Sequence, residues 1–144
     1  GLSAVTGMTF GQICDDRYAR KVAQSILKEC FDIAVACGIR PAKVQGHDVA
    51  KILGYKTAFK RLISYLLIPI AMKKHRALVS GMYNDLKAGK KCEIDLVCGV
   101  VSDYGVRVCR PAILNGAVQK IVHEIEVGSR GISPDNLQAF KDYV

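Results

Sequence analysis

The sequence predicts an all-α fold, and three observations carry that prediction. Apolar residues recur three and four positions apart over two long segments, Val22 to Cys37 and Ile113 to Ile125. Helix start and stop residues flank them: Asp15 or Asp16 before the first, Gly38 and Pro41 after it, Pro111 before the second. No alternating apolar–polar pattern marks a strand.

Taken in order, the first long helix runs from its Asp15 or Asp16 cap to Cys37. Its inner face carries Val22, Ala23, Ile26, Leu27, Cys30, Ile33, Ala34 and Cys37. A short helix fits Asp48–Leu53, capped by His47 or Asp48 and stopped at Gly54. A third covers about Thr57–His75, with Pro69 starting a new segment or kinking it. Ser80–Leu86 reads as a helical turn or two, broken at Gly89. Glu93–Tyr104 is helical with Ile94, Val97, Cys98 and Val101 on one face. Pro111 opens a helix to about Val127, with Ile113, Leu114, Ala117, Val118, Ile121, Val122 and Ile125 inward. Ser133 and Pro134 are the cap and first-turn proline of a last helix reaching Tyr143.

With 144 residues, half of them hydrophobic, the chain suits one domain with a real core and is no disordered tail. We take 1–144 as a single helical domain. There are 21 basic and 13 acidic residues, net +8, a balance that favours anionic partners. The longest apolar run, Leu62–Met72, falls well short of the ~20 residues a membrane span needs. We read it as a buried helix and expect no membrane partner. The basic run Lys73-Lys74-His75-Arg76 has no interleaved aromatics and ends an apolar helix, so no nucleic-acid partner is expected.

Six cysteines, Cys14, Cys30, Cys37, Cys92, Cys98 and Cys109, show neither metal-ligand nor paired spacing. Cys30 and Cys37, one heptad apart, are expected as small core residues. Reduced thiols point to a cytoplasmic location. His47, His75 and His123 are scattered, and no metal site is expected. Gly7-Met8-Thr9-Phe10-Gly11 matches neither dinucleotide nor phosphate-loop spacing, so no cofactor-binding residues are expected in this chain.

The stretch with most chemistry is Ser80-Gly81-Met82-Tyr83-Asn84-Asp85-Leu86-Lys87-Ala88-Gly89-Lys90-Lys91-Cys92-Glu93-Ile94-Asp95. It sets Glu93 after a basic, glycine-containing turn and before an apolar helix. A carboxylate there can simply favour the helix dipole. With Lys87, Lys90, Lys91 and Ser80 nearby in sequence, it can also position a lysine or accept from a substrate hydroxyl.

Three segments together resemble the C-terminal domain of the ketopantoate reductases (2-dehydropantoate 2-reductases). Leu2-Ser3-Ala4-Val5 with Gly11 is similar to that family's Leu-Thr-Ala-Leu segment and following Gly. Met82, Asp85, Gly89 and Glu93-Ile94-Asp95 resemble its Ser-Ser-Met…Gly-Arg-x-Thr-Glu-Ile-Asp signature. Gly99, Gly105, Pro111 and Asn115 fall where the family has two Gly, a Pro and an Asn. The resemblance covers about Leu2 to Glu126.

The resemblance implies a helical bundle similar to the C-terminal domain of 6-phosphogluconate dehydrogenase, packed against an N-terminal Rossmann domain that binds NADPH. It implies reduction of 2-dehydropantoate, a small 2-oxo acid, to pantoate, the step that serves pantothenate biosynthesis. Glu93 is the implied catalytic residue, orienting the substrate hydroxyl and a general-acid lysine. Ser80, Gly81 and Asn115 are implied at the substrate. Three positions depart from the family: Gly81 replaces its substrate Ser, Cys98 an Asn, and Ile113 a second Pro. The family's lysine lies upstream of the Leu-Thr-Ala segment. This chain therefore reads as part of a larger reductase, inactive alone. Two other readings remain open: reduction of a related 2-oxo acid, and a stand-alone helical module for dimerisation or interaction, without catalysis. A homodimer fits either.

Overall fold

The structure is a computed structural model and describes residues 1–43 and 48–144. Eight α-helices make up the described chain: α1 Leu2–Thr6, α2 Phe10–Asp15, α3 Arg17–Ala36, α4 Val49–Leu53, α5 Ala58–Ala71, α6 Gly81–Lys87, α7 Val100–Arg107 and α8 Ile113–Glu126. Short 3-10 turns cover Lys73–His75 and Pro134–Phe140, and a π-helical turn covers Asp95–Gly99. No strand occurs among the described residues, as the periodicity predicts.

The centre of the bundle is α1, which sequence periodicity does not reveal. All five of its residues are buried. It packs on α6, α8 and the C-terminal 3-10 turn. A five-residue helix has almost no stability of its own, so its surroundings must supply it. Burying Ser3 and Thr6 also requires partners for their hydroxyls. Ser3 Oγ donates to the Met8 carbonyl at 2.7 Å, and Thr6 Oγ1 to that of Leu2 at 2.8 Å. Asn136 Nδ2 donates to the Val5 carbonyl at 2.8 Å and fastens the C-terminal turn to α1. Around α1 the core closes with Met82, Leu86, Ile94, Val118, Val122 and Phe140.

Several caps stand where the sequence predicts them. Asp16 caps α3, its Oδ1 accepting from the Tyr18 and Ala19 amides at 2.9 and 2.7 Å. Asp15 instead ends α2 and pairs with Arg76. Asp48 caps α4, while His47 lies outside the described residues. α8 starts at Ile113, two residues after Pro111, without a local side-chain cap. Glu29 of α3 takes that role from across the bundle. Its carboxylate accepts from the Leu114 and Asn115 amides at 2.9 and 2.8 Å and from Asn115 Nδ2 at 2.7 Å.

Other expectations need correction. The 57–75 segment is helical, and Pro69 sits inside the last turn of α5, where a missing amide costs one helical bond. However, α5 is not a buried helix. Only Ser64 and Ile68 are buried, while Phe59, Leu62, Leu66 and Ile70 are 71, 54, 56 and 66 % exposed. The side of α5 that carries Ser64 and Ile68 packs on α3, α4 and α2, and the apolar row on the other side has no neighbour there and meets solvent. For the same reason Leu27 and Cys30 on α3, Val97 in the π turn and Ile113 on α8 are exposed rather than inward. The helix expected over 93–104 contains the π turn. The turn ends at Gly99, where a Cβ would meet Gln119 Nε2 at 2.9 Å. The last segment is a 3-10 turn ending at Phe140, whose ring is fully buried.

Replacing Glu29 with alanine strands two backbone amides and one side-chain amide at the α3–α8 contact. We expect a loss of about 2–3 kcal/mol of stability, read as a lowered denaturant midpoint with an unchanged slope. An unchanged midpoint would mean that the cross-bundle cap contributes nothing.

Candidate functional site

The two segments that carry the expected site flank α1. Ser80 precedes α6, and its amide donates to Ser3 Oγ at 3.0 Å, so α1 fixes where α6 begins. The Ser80 side chain makes no capping bond. Gly81 is exposed, and a Cβ built on it meets no atom within 4 Å. After α6 the chain turns at Gly89, which has φ +68, and the Lys90 amide closes that turn on the Asp85 carbonyl. It next reaches Cys92, whose amide donates to Glu126 Oε1 at 2.9 Å and docks the segment on α8.

Glu93 follows at the surface, immediately before the fully buried Ile94. Anchors on both sides fix its backbone, while its carboxylate makes no hydrogen bond or ion pair among the described residues. Ser80 is thus tied to α1, and the Glu93 segment to α8. Asn115 is apart from them, buried on α8, with its amide nitrogen engaged by Glu29 and, at 3.3 Å, by the Ile26 carbonyl.

The glycines tested for a nucleotide are already used. The Gly11 amide donates to the Arg76 carbonyl at 2.8 Å, and a Cβ at Gly11 would meet that same oxygen at 2.8 Å. Gly7 closes α1 in the left-handed region. Neither leaves its amide free to cradle a pyrophosphate. Among them no three His, Cys, Asp or Glu side chains are grouped as metal ligands.

One cluster beside Glu93 escaped the sequence reading. His123 bridges two carboxylates, Nε2 to Asp95 Oδ1 and Nδ1 to Glu126 Oε2, both at 2.9 Å. Gln119 Nε2 also donates to Asp95, at 2.6 Å. The i,i+3 spacing of His123 and Glu126 is visible in the sequence, but the link to Asp95 is not. The Glu126 hydrogen bond, then that of Asp95, raises the His123 pKa against a desolvation penalty. Gln119 first and His123 second hold the Asp95 carboxyl low. Burial pushes Glu126 up, but the Cys92 amide and His123 outweigh it and lower the pKa.

The sign of the pH effect follows. A histidine with a raised folded pKa stabilises fully below its unfolded value of about 6.5 and loses that contribution as pH rises through the folded value. His123 and Asp95 are largely exposed, so water screens the cluster although Glu126 is buried, and the effect is small. We expect Tm to fall by about 2–4 °C from pH 6 into the alkaline range, and His123→Gln to flatten that slope. An unchanged slope in the variant would assign the pH dependence elsewhere.

The family model described as ketopantoate reductase PanE/ApbA C terminal matches residues 1–126. A solved PanE/ApbA family ketopantoate reductase from Ralstonia eutropha JMP134 is similar in structure, with a TM-score of 0.67 and 26 % sequence identity. The similarity covers 88 % of this chain and 36 % of that one, so this chain spans about a third of the relative's length. No curated protein matches. With most of its length matched by the family model, the chain belongs to the family of ketopantoate reductase C-terminal domains.

Proposed function

We propose that this domain is the substrate-side half of a reductase that converts 2-dehydropantoate to pantoate. A dinucleotide-binding unit would supply NADPH, and the present residues take no part in holding it. Glu93 orients the substrate hydroxyl and the lysine that protonates the ketone oxygen. Ser80 and Gly81 border the substrate. The domain alone is inactive. The observation that carries the reading is the Glu93 carboxylate. It is exposed and has no hydrogen-bond or ion-pair partner among the described residues, on a backbone anchored at Cys92 and Ile94. An orienting group needs this combination of fixed backbone and free head.

In the reductase that carries this domain, Glu93→Gln should lower kcat/KM by about 10²-fold while stability changes by less than ~1 kcal/mol. Normal turnover with a lowered Tm would sink the assignment. The open space at Gly81 offers a second check. Gly81→Ser should fold normally. If ketopantoate is the substrate, the new hydroxyl should raise kcat/KM by about tenfold, one hydrogen bond's worth. A gain absent for ketopantoate but present for a smaller 2-oxo acid would redirect the substrate reading.

A second reading, a helical dimerisation module without catalysis, is favoured by the exposed apolar row of α5. It requires the chain to self-associate through that row. Sedimentation velocity should then show a concentration-dependent dimer that Leu66→Glu abolishes. A monomer at about 100 μM, far above a useful affinity, would discard it.

A further inference from the structure

A cavity of about 540 Å³ opens between α3 and the first half of α5, away from Ser80, Gly81, Glu93 and Asn115. Arg17, Lys21 and Arg61 line it, and no carboxylate does. None of the three cations makes an ion pair among the described residues. Tyr18, Leu62 and Tyr65 supply flat apolar wall. Gln24 closes the floor, its Nε2 donating to the Arg61 carbonyl at 2.9 Å.

Behind the wall, the Tyr18 hydroxyl and Arg20 Nε are closed to solvent and have no hydrogen-bond partner among the described residues. Arg20 also lies over the Tyr65 ring, its Cζ 4.4 Å from the centroid, and adds positive charge behind that wall. Asp15 is paired with Arg76. Asp16 at the α3 cap and Asp142, whose charge reaches Tyr18, offset part of the field, but neither lines the cavity.

We propose that this cavity binds a small organic phosphate, its phosphoryl group held by Arg17, Lys21 and Arg61 and its flat apolar body lying along Tyr18, Leu62 and Tyr65. Three cations suit a dianion better than a single carboxylate, and two guanidinium forks match phosphoryl oxygens. The volume lies within the range of small-molecule sites. The site is independent of the reductase assignment, because no residue of that assignment lines it.

Phenyl phosphate is the probe, with inorganic phosphate (charge without body) and phenol (body without charge) as the other arms. Calorimetry on the 144-residue chain at low salt should give a Kd below about 1 mM for phenyl phosphate, at least about tenfold tighter than either arm. Lys21→Met and Arg61→Met should each weaken it about tenfold while keeping their apolar stems. Lys120→Met, on α8, should leave it unchanged. Thermal melts report whether each variant folds, and the exposed Lys21 keeps the test open if Arg61→Met does not. No heat at about 10 mM, or binding in both variants as tight as in the unaltered chain, overturns the proposal. Inorganic phosphate binding as tightly as phenyl phosphate also overturns it, showing an adventitious ion only.

Discussion

The burial of α1 is the constraint on which the rest of the domain depends. Five residues cannot hold a helix in water, and two of these five carry hydroxyls that must find acceptors inside the core. Each tie that meets this demand also positions another element. Ser3 accepts the Ser80 amide and so sets the start of α6. Val5 accepts from Asn136 and Ser133 and holds the C-terminal turn, which brings Phe140 into the core. The apolar side chains of α1 meet α8, which docks Cys92 through Glu126. Positions 80, 81 and 93 are thus held by a helix that contributes no site residue itself.

Much of the fold was legible because long amphipathic helices announce their period and their caps. Asp16, Asp48 and Ser133 cap the helices the sequence assigns them, since an N-cap is a local contract between neighbouring residues. What was not legible depended on distant partners. Glu29 caps a helix 85 residues away, and no local pattern encodes that. The π turn lies against α8, where Gln119 donates to Asp95, a contact between distant segments. The misreading of α5 has a different cause. Apolar content states how much surface a segment would rather hide, not how much its neighbours can cover. On α5 the neighbours α3, α4 and α2 cover the side of Ser64 and Ile68 and leave the row Phe59, Leu62, Leu66 and Ile70 bare.

The site divides in the same way. The motif spacing brought out Glu93, Ser80 and Gly81, because linked residues along one stretch survive without a structure. The surroundings of Glu93 are tertiary. His123 reaches Asp95 across 28 positions, and Cys92 reaches Glu126 across 34. These contacts consume the charges around Glu93 and leave its own carboxylate unspent. Asn115 shows the converse. It occupies a motif position, yet its amide is committed to Glu29, so position within a motif does not by itself tell a ligand-facing group from a packing one.

The exposure of Glu93 bears on how such a carboxylate could act. In open water a unit charge about 4 Å away exerts roughly 1 kcal/mol, and near a protein surface of lower effective dielectric about four times that. A group left in bulk solvent therefore orients little, however well its backbone is fixed. Catalytic weight at Glu93 requires a surface that closes over it and excludes water, and the same holds for the bare row on α5. The two lie on different elements of the bundle, so one covering body need not serve both. The span matched to the Ralstonia eutropha reductase, about a third of that chain, leaves ample room there for one such body. The physical demand falls first on the carboxylate: an apolar helix face tolerates water at a modest cost, whereas an orienting charge in water loses its purpose.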